Sequence, residues 1–538
     1  MDGQIQLLDC TLRDGAYIVD SMFGESSIKG IIKKLYDANI DIIECGWLKN
    51  KAHEAGSTFF HIPEDIRKYI GEKKRDSILV AMIDWDRYDL SQLPVCDGTS
   101  IDAIRIVFPH DHYKEGIALG KIIADKGYQV FLQAANTLGY SDDELVELAR
   151  EVNKIRPVAL SIVDTFGAMY GSDLEHIFEI LDKHMRKEIK IGLHSHNNQQ
   201  MSFSLSIRFA ELLEESGRAG IIDASLCGMG RGAGNATTEL AANYLNRKHH
   251  GNYDMNAILD TIDVYMGYYQ AKYRWGYSTP YFIAGMYCTH VNNIAYLLEN
   301  HRANAKDMNN IIEAMPPEDR TRYDYDLLEK KYLEYCDQAV DDEETLKTLA
   351  DTIGEHPVLL LFPGRSAVEQ HERIQKYIDA EAPVVIGVNA ITEGYDYSYL
   401  FFGNQGRYAY AKEVYAEQFR DNQKIVTSNI KTKAQEKEWI VNFSSLIKRG
   451  WEHFDNSGIM CLRLLNRLRV KRVMLAGFDG FNGSYEASYA DTKLPHIDPG
   501  KKWEDLNEEI RDMLRDFKTA AGGRMEIGFL TESVYETV

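Results

Sequence analysis

The first half of the chain alternates short apolar runs with longer segments of helical periodicity, from Ile5 to about Leu240. This alternation is typical of repeated βα units that build a parallel sheet. The predicted helices include Ser27–Ala38, Lys114–Lys126 and Asp142–Ile155. The predicted strands are Gln6–Leu12, Ile40–Cys45, Ser77–Ile83, Ala103–Val107, Gln129–Gln133, Ala159–Val163, Lys190–His194 and Ile221–Ser225. Eight βα units in about 250 residues predict a (β/α)8 TIM barrel over residues 1–254, and a doubly wound open sheet is the alternative.

The pattern changes twice in the second half. Residues 255–345 have helical periodicity and many tyrosines, which predicts an α-helical extension. Its aromatic stretch, with Trp275, Tyr281 and Phe282, is typical of a core or a subunit interface, so we expect a homodimer or higher homo-oligomer. Residues 350–538 return to alternating strands and helices, which predicts a C-terminal Rossmann-like α/β domain, although no GxGxxG fingerprint occurs. Its predicted strands are Val358–Phe362, Val384–Val388, Lys424–Thr427 and Val473–Ala476.

Composition and charge narrow the class of protein. Of the 538 residues, 44% are hydrophobic, which is ample for packed domains, and the formal charge of −21 argues against nucleic acid or anionic membranes as partners. No apolar run reaches the roughly 18 residues that span a bilayer, and the amino terminus lacks the features of a secretion signal. We therefore expect a cytoplasmic protein. The seven cysteines show no CxxC spacing, so neither a disulfide framework nor a thiolate zinc site is indicated.

Charged and polar residues stand at the ends of several predicted strands. The first strand is predicted to end in Arg13, Asp14 and Gly15, which would place two charged side chains at its carboxyl end. His194 and His196 are two residues apart, so in a strand both point to the same side and can bind one divalent metal ion. Two histidines satisfied by hydrogen bonds are the alternative.

Two further loops carry candidate site residues. Four glycines in the stretch Gly228–Gly234 indicate close backbone approach, and this loop can bind an anion or hold Asn235 toward a metal. Thr165 follows another predicted strand, where it could donate a hydrogen bond to a substrate carboxylate. A plain turn is the alternative at that position.

Three of these motifs together resemble a known group of enzymes. TLRDG at Thr11–Gly15, HSHN at His194–Asn197 and GRGAGN at Gly230–Asn235, in this order and spacing, are similar to the DRE-TIM metallolyase superfamily. This superfamily includes 4-hydroxy-2-oxovalerate aldolase, hydroxymethylglutaryl lyase, and the isopropylmalate and homocitrate synthases. The resemblance covers residues 5–300 and is strongest to the HMGL-like 4-hydroxy-2-oxovalerate aldolases, in which the barrel is followed by a helical assembly domain.

The resemblance implies a metal-dependent carbon–carbon lyase that acts on a 4-hydroxy-2-oxo acid through a pyruvate-type enolate. It implies that Asp14, His194 and His196 bind Mn²⁺ or Mg²⁺, with Zn²⁺ less expected. Asn235 would be a further ligand. Arg13 would stabilise the enolate, and Arg105 and Thr165 would contact the substrate carboxylate.

One position departs from the aldolase pattern. Those aldolases carry an acid–base histidine two residues after the glycine of RDG, whereas this chain has Tyr17. A phenol with a pKa near 10 is a poor base at neutral pH but can donate a proton. His110, which follows a predicted strand, could supply the missing base. This departure predicts an altered substrate.

Two alternatives to the aldolase remain, and both differ in chemistry. One is an acyl-CoA-dependent synthase that condenses a 2-oxo acid, and the other is a non-catalytic barrel scaffold that carries a nucleotide-binding module.

For the C-terminal domain, the turn Pro363–Ser366 would present backbone amides to a phosphate, with a tight structural turn as the alternative. The stretch Val470–Phe481 resembles segments of bacterial sialyltransferase-like and related nucleotide-binding domains. We therefore predict that Gly364, Ser366 and Asp479 bind a nucleotide or a nucleotide-linked sugar.

Overall fold

A computed structural model describes residues 5–73, 77–301, 303, 305–336, 340–431, 438–448, 451, 456–495 and 502–538. The chain divides into two compact units. Unit 1 comprises Met1–Ile294 with Arg320–Arg322, and unit 2 comprises Ala295–Asp319 with Tyr323–Val538. No helix in these described ranges is both long and apolar enough to cross a membrane.

Unit 1 contains a closed barrel of parallel strands. Its strands are β1 (Ile5–Asp9), β2 (Ile42–Leu48), β3 (Phe59–Phe60), β4 (Ile78–Asp84), β5 (Ala103–Phe108), β6 (Gln129–Ala134), β7 (Ala159–Asp164), β8 (Lys190–Ser195) and β9 (Gly220–Ala224). They are hydrogen-bonded in the order β1-β9-β8-β7-β6-β5-β4-β2-β3, and β1 also pairs with β2. That last pairing closes eight strands into a barrel and leaves β3 attached to β2. The predicted TIM barrel is therefore confirmed, and the open-sheet alternative is wrong.

Helices and short turns follow the strands of the barrel, as expected for βα units. The helices of the chain up to residue 301 are α1 (Thr11–Asp14), α2 (Glu25–Asp37), α3 (Pro63–Ile70), α4 (Tyr113–Asp125), α5 (Asp142–Ile155), α6 (Gly171–His184), α7 (Ser202–Ser216), α8 (Thr238–Lys248), α9 (Met255–Thr261), α10 (Gly267–Lys272), α11 (Thr279–Met286) and α12 (Val291–His301). Helix α5 shows why these segments are helical. Ser141 and Glu144 form a capping box at its start, and its buried positions Leu145, Leu148 and Val152 recur at helical spacing.

The barrel interior has an apolar layer and a polar layer. The apolar layer is a separate buried cluster that includes Ile42, Ala103, Phe131, Ala159 and Ile221. Two residues further along the same strands, and therefore on the same face, stand Glu44, Arg105, Gln133, Ser161 and Asp223. The strands thus carry their polar side chains toward the carboxyl end of the barrel, where active sites of this fold lie.

Strand β1 ends earlier than predicted. It stops at Asp9 rather than Leu12, because the Asp9 carboxylate accepts hydrogen bonds from Thr11 N at 3.0 Å and from Thr238 Oγ1 at 2.6 Å. Arg13 and Asp14 consequently lie on the single helical turn α1, not on a strand end. The prediction was wrong about the element but right about the end of the barrel that these residues occupy.

Unit 2 contains a seven-stranded parallel sheet. Its strands are β10 (Val358–Leu361), β11 (Val384–Val388), β12 (Tyr399–Phe402), β13 (Gln423–Thr427), β14 (Glu438–Val441), β15 (Arg472–Ala476) and β16 (Glu526–Phe529). Their order is β14-β13-β12-β11-β10-β15-β16, a doubly wound arrangement that confirms the predicted Rossmann-like fold. The sequence analysis missed β12, β14 and β16, each only four residues long.

Eleven further helices lie among the described residues beyond α12. They are α13 (Ala305–Glu313), α14 (Pro317–Arg320), α15 (Tyr325–Cys336), α16 (Glu343–Ile353), α17 (Ser366–Glu369), α18 (His371–Glu381), α19 (Gln405–Val414), α20 (Ala416–Asp421), α21 (Ser457–Arg467), α22 (Tyr485–Ser488) and α23 (Trp503–Ala521).

Candidate metal centre and active site

Three predicted metal ligands meet at the carboxyl end of the barrel. Asp14 lies on α1, His194 lies in β8, and His196 follows β8 directly. One ligand atom from each of the three lies within 4.8 Å of the others. His196 Nε2 is 3.5 Å from Asp14 Oδ2, and the two imidazole rings have centroids 5.0 Å apart. His194 and His196 are two residues apart at the end of one strand, so both side chains face the same carboxylate, as the HxH spacing predicted.

Asn235 completes this cluster from the loop after β9. Its Nδ2 donates to Asp14 Oδ2 at 2.5 Å, and its buried Oδ1 has no partner among the described residues. A buried amide oxygen without a partner is unfavourable unless something else, such as a cation, occupies the space beside it. Carboxylate and amide oxygens with two imidazoles form a mixed N/O set that suits a divalent metal ion. The side chains present thus fit a divalent ion.

Second contacts orient both imidazoles for such an ion. His194 Nδ1 lies 3.1 Å from Asp223 Oδ2, and His196 Nδ1 donates to the main-chain oxygen of Asp164 at 3.1 Å. These contacts leave both Nε2 atoms as acceptors toward the cluster, the arrangement that metal-binding histidines use. Burial lowers the pKa of His194, and although Asp223 opposes this, the ring is neutral at neutral pH and able to bind a metal.

A buried charge chain links the metal cluster to Arg13. We define this chain as Arg13, Glu44, Arg105, Asp223 and His194. Glu44 Oε2 accepts from Arg13 Nε at 2.8 Å and from Arg105 Nη1 at 2.9 Å. Arg105 Nη2 donates to Asp223 Oδ2, which also faces His194. Every member of the chain is at most 5% exposed.

The charges at this end of the barrel do not balance. Arg13 Nη1 donates to Asp14 Oδ1 at 2.7 Å. Together, Asp14 and the charge chain contain three carboxylates, on Asp14, Glu44 and Asp223, but only the two guanidiniums of Arg13 and Arg105. Burial disfavours ionisation of Asp14, but Arg13 and then His196 outweigh it and hold the pKa of Asp14 well below its usual range. The remaining negative charge is a further reason for a cation to bind beside Asp14.

Glycines let the loop after β9 approach this cluster. A Cβ on Gly230 would lie 2.2 Å from Asn235 Nδ2 and 2.6 Å from Asp14 Oδ2, closer than any real contact. Gly234 has a φ of 83°, and a Cβ there would lie 1.9 Å from Gly228 O. Glycine is therefore required at 230 by the position of the Asn235 and Asp14 side chains, and at 234 by the close approach of the loop's own backbone.

Tyr17 follows Asp14 by three residues and lies beside Arg231, which was not singled out from the sequence. The guanidinium carbon of Arg231 is 4.9 Å from the centre of the Tyr17 ring, which is 45% exposed. Arg231 Nη2 is held by Asn292 Oδ1 at 2.6 Å and by His290 Nε2 at 3.1 Å. Partial burial raises the pKa of Tyr17, and Arg231 partly offsets this shift. Tyr17 is therefore protonated near neutral pH.

The other predicted active-site residues have partners of their own. Arg105 is 1% exposed, and besides its contacts with Glu44 and Asp223 it donates to Gln133 Oε1 at 2.9 Å. Thr165 Oγ1 accepts from Asn136 N at 2.7 Å. His110 Nε2 lies 3.1 Å from Glu144 Oε1, and no contact among the described residues joins it to the metal cluster. The structure thus brings together Arg13, Tyr17 and the metal cluster but shows His110 in contact with a surface glutamate.

Sequence reasoning missed Glu44 and Asp223, which organise the charge chain. Each is an acidic residue inside an apolar strand, in Ile-Ile-Glu-Cys and Ile-Ile-Asp-Ala respectively. Charged residues rarely occur at buried strand positions unless they are paired, so this was an available signal. Arg231 had a signal too, since it is the one cation in the glycine loop.

The predicted nucleotide site of unit 2 lies at the carboxyl ends of β10 and β15. Asp479 Oδ2 accepts from Ser366 N at 2.9 Å, and Ser366 Oγ donates to Asp479 Oδ1. A Cβ on Gly364 would lie 2.3 Å from Gly477 O, so the two loops pack closely. Gly364 and Asp479 line a cavity, whereas the Ser366 hydroxyl is hydrogen-bonded to Asp479 and to Thr531.

The first half of the chain is similar to known proteins. Residues 110–264 match the family model HMGL-like. An oxaloacetate decarboxylase of Mycobacterium tuberculosis is 26% identical over 259 residues, covering 47% of this chain and 74% of that protein. A 4-hydroxy-2-oxovalerate aldolase of Geobacillus genomosp. 3 is 26% identical over 250 residues, covering 45% and 71%. The crystal structure of the N-terminal domain of a proposed aldolase from Bacteroides vulgatus is 25% identical with a TM-score of 0.50, covering 58% of this chain and all of that one.

Proposed function

We propose that the protein is a divalent-metal-dependent carbon–carbon lyase of the DRE-TIM superfamily, because residues 110–264 match the HMGL-like family model. It cleaves a 4-hydroxy-2-oxo acid and releases a pyruvate-type enolate, and we place this activity in the barrel, residues 1–254. The observation that carries the proposal is the cluster of Asp14, His194 and His196 within 4.8 Å, with Arg13 hydrogen-bonded to the same Asp14.

The contacts of Arg13 prepare it to hold a developing negative charge. Its Nε donates to Glu44 and its Nη1 donates to Asp14, while Nη2 donates to no described residue. A guanidinium fixed in this way offers its remaining N–H groups to an enolate oxygen without reorganising, which is the main advantage of a preorganised site. A divalent ion held by the three ligands, with Asn235 as a further oxygen donor, would supply Lewis-acid polarisation of the 2-oxo group.

Proton transfer is the step at which this chain differs from the aldolases it resembles. Aldol cleavage requires a base that removes the proton of the C4 hydroxyl, and the enolate then takes a proton at C3. Tyr17 has a raised pKa, so near neutral pH it carries its proton and suits the second role. The base of the first step is a separate group. His110 remains a candidate only if substrate binding releases it from Glu144.

Tyr17 also favours a second candidate, the decarboxylation of a 2-oxo acid that carries a carboxylate on C3. In that reaction the bond from C3 to the carboxylate breaks, CO2 leaves, and the electron pair forms the same enolate. No base is needed, and Tyr17 returns a proton to C3. The similarity to an oxaloacetate decarboxylase supports this candidate, while the similarity to 4-hydroxy-2-oxovalerate aldolases supports the first.

One assay tests both candidates. The full chain is stripped of metal, reloaded with Mn²⁺, Mg²⁺ or Zn²⁺, and given a panel of 4-hydroxy-2-oxo acids and oxaloacetate, with pyruvate release coupled to lactate dehydrogenase. We expect metal-dependent pyruvate release, reduced at least about 100-fold in His194→Ala, which removes a ligand, and in Asp14→Asn, which removes the negative charge of another. His176→Ala is the matched control, since this exposed histidine of α6 pairs only with Asp142 on the surface.

The outcomes separate the alternatives. Wild-type rates in His194→Ala and Asp14→Asn would contradict the metal-dependent lyase. Release of free CoA from acetyl-CoA in the presence of a 2-oxo acid would instead support the condensing synthase. A protein that retains neither metal on elemental analysis nor any of these activities would support the non-catalytic scaffold.

A further inference from the structure

Unit 2 contains a cavity of about 390 Å³ at the carboxyl ends of its strands. The loops after β10, β11, β12 and β15 line it, and β10 and β15 are the neighbours between which the strand order reverses. Ligands of doubly wound sheets bind at this reversal point, outside the carboxyl ends of the strands. The volume lies within the roughly 300–1,000 Å³ of small-molecule sites. All of its lining residues belong to unit 2.

Arg407 is the feature of the cavity that calls for a ligand. It lies in the first turn of α19, lines the cavity and is only 9% exposed. Its buried Nη1 has no hydrogen-bond partner, and none of its guanidinium N–H groups donates to an oxygen of the described residues. The ring of Tyr489 lies 4.9 Å from the guanidinium carbon. Arg407 also helps to lower the pKa of the nearby Asp491 carboxylate, but no hydrogen bond among the described residues joins the two side chains. A buried guanidinium N–H without a hydrogen-bond partner is unfavourable, so an anion is expected to complete its contacts.

Two helices add positive potential to the same space. Helices α19 and α21 begin at the cavity, where Asn404 and Asn456 cap their first turns. Each Asn side chain accepts a first-turn N–H, and Ser457 and the backbone of Gly406 and Gly458 line the cavity beside them. Helices of ten and eleven residues carry a partial positive charge at this end, which favours a phosphate over a neutral group.

The rest of the cavity wall is aromatic and ends in a carboxylate. Phe362, Phe478, Phe481 and Tyr535 line it, and Arg407 and Asp479 are the charged residues among the described lining. Arg407 follows β12 and Asp479 follows β15, and two strands lie between, which separates these strand ends by about 14 Å. A free phosphate cannot touch both ends. A carboxylate at the far end suits the hydroxyls of a ribose, and aromatic faces suit a base.

We propose that this cavity binds a nucleoside mono- or diphosphate, with the phosphate on Arg407 and the N-termini of α19 and α21, and the nucleoside against the aromatic wall toward Asp479. The proposal extends the predicted site of Gly364 and Asp479 by placing the phosphate about three strands away from them, on Arg407. It is independent of the lyase activity of the barrel.

The test is a binding titration of the full chain by isothermal calorimetry. The probes are nucleoside mono- and diphosphates of the four common bases, the corresponding nucleosides and inorganic phosphate. We expect at least one nucleotide to bind with a Kd below about 1 mM and its nucleoside to bind at least about 10-fold more weakly. Arg407→Gln should weaken the nucleotide at least about 10-fold and leave the nucleoside unchanged, because only the phosphate contacts the guanidinium. Arg420→Gln, on the exposed face of α20, is the matched control and should change neither Kd.

The thermal midpoint of the free protein separates a binding role of Arg407 from a structural one. Because Nη1 lacks a hydrogen-bond partner and the guanidinium gains only the Tyr489 ring and the field of Asp491, Arg407→Gln should melt close to the wild type without ligand and should lose the nucleotide-induced rise. Three results overturn the proposal: no nucleotide saturating below 1 mM, equal loss of nucleotide and nucleoside in Arg407→Gln, or inorganic phosphate binding as tightly as the nucleotide. If Arg407→Gln does not fold, the comparison of nucleotide, nucleoside and phosphate on the wild type still decides between these outcomes.

Discussion

Replacing Glu44 by glutamine tests the buried charge chain directly. Glutamine keeps the shape of the side chain and one oxygen that can accept from Arg13 and Arg105, but it removes the negative charge between the two guanidiniums. Both arginines are at most 5% exposed, so water cannot compensate for the lost charge. Removing one partner from a buried ion pair destabilises a protein by roughly 3–5 kcal/mol. Because the acceptor oxygen remains, we expect the lower end, about 3 kcal/mol.

Differential scanning calorimetry of the full chain measures this effect, since it can resolve the melting of unit 1. Unit 1 has about 300 residues, and at roughly 2.1 cal/mol/K of unfolding entropy per residue about 1 kcal/mol corresponds to about 1.6 °C, so Glu44→Gln should lower its midpoint by about 5 °C. The matched control is Glu64→Gln. Glu64 is an exposed glutamate on α3 whose ion pair with Arg67 at 3.3 Å is worth at most about 1 kcal/mol.

The rate of pyruvate release provides a second measurement. Glu44 holds Arg13 Nε, so Glu44→Gln should lower kcat, while the amount of bound metal should fall much less because Glu44 touches none of the metal ligands. A midpoint no lower than that of Glu64→Gln would refute the reasoning, because it would mean that the guanidiniums do not depend on this carboxylate.

Three further substitutions probe the site and its surroundings. Asp223→Asn removes the carboxylate that orients His194 and should weaken Mn²⁺ binding about 10–100-fold, measured by metal titration. Gly230→Ala should abolish metal binding because its Cβ would overlap a ligand side chain, whereas Gly267→Ala, which meets nothing within 4 Å, should bind normally. Burial raises the pKa of Asp9 to about 6, despite opposing hydrogen bonds, so its protonated form stabilises the fold below about pH 4 and this contribution is lost as the pH rises through 6. As the pH rises from 4 to 7, the free energy of unfolding of Asp9→Asn, measured with denaturant, should therefore increase by about 3 kcal/mol relative to that of the wild type. Parallel pH profiles of the two proteins would contradict this.

Local patterns carried much of the architecture. The alternation of apolar runs and helical segments predicted the barrel and the second parallel sheet, because burial on both faces of a parallel strand leaves a continuous apolar run. Strand β14 is only Glu-Trp-Ile-Val and strand β16 is only Glu-Ile-Gly-Phe. Both lie at the edges of the sheet, where strands are short and partly polar, so their hydrophobic pattern is too weak to predict them. The one-turn helix α1 escaped detection because the end of β1 before it, at Asp9, depends on a hydrogen bond from distant Thr238.

For the candidate site, the sequence by itself determined the pieces that act locally: the HxH pair with its two-residue period, the Arg-Asp pair after the first run, and the glycines of the loop that carries Asn235. Only the tertiary structure decided which side chains are buried together and hydrogen-bonded to one another. Glu44, Arg105 and Asp223 come from strands far apart in the chain, and closure of the barrel makes them one charge chain. Likewise, only the packing of unit 2 leaves Arg407 buried without a hydrogen-bonded anion, because burial and pairing are properties of the folded surroundings and not of the residue.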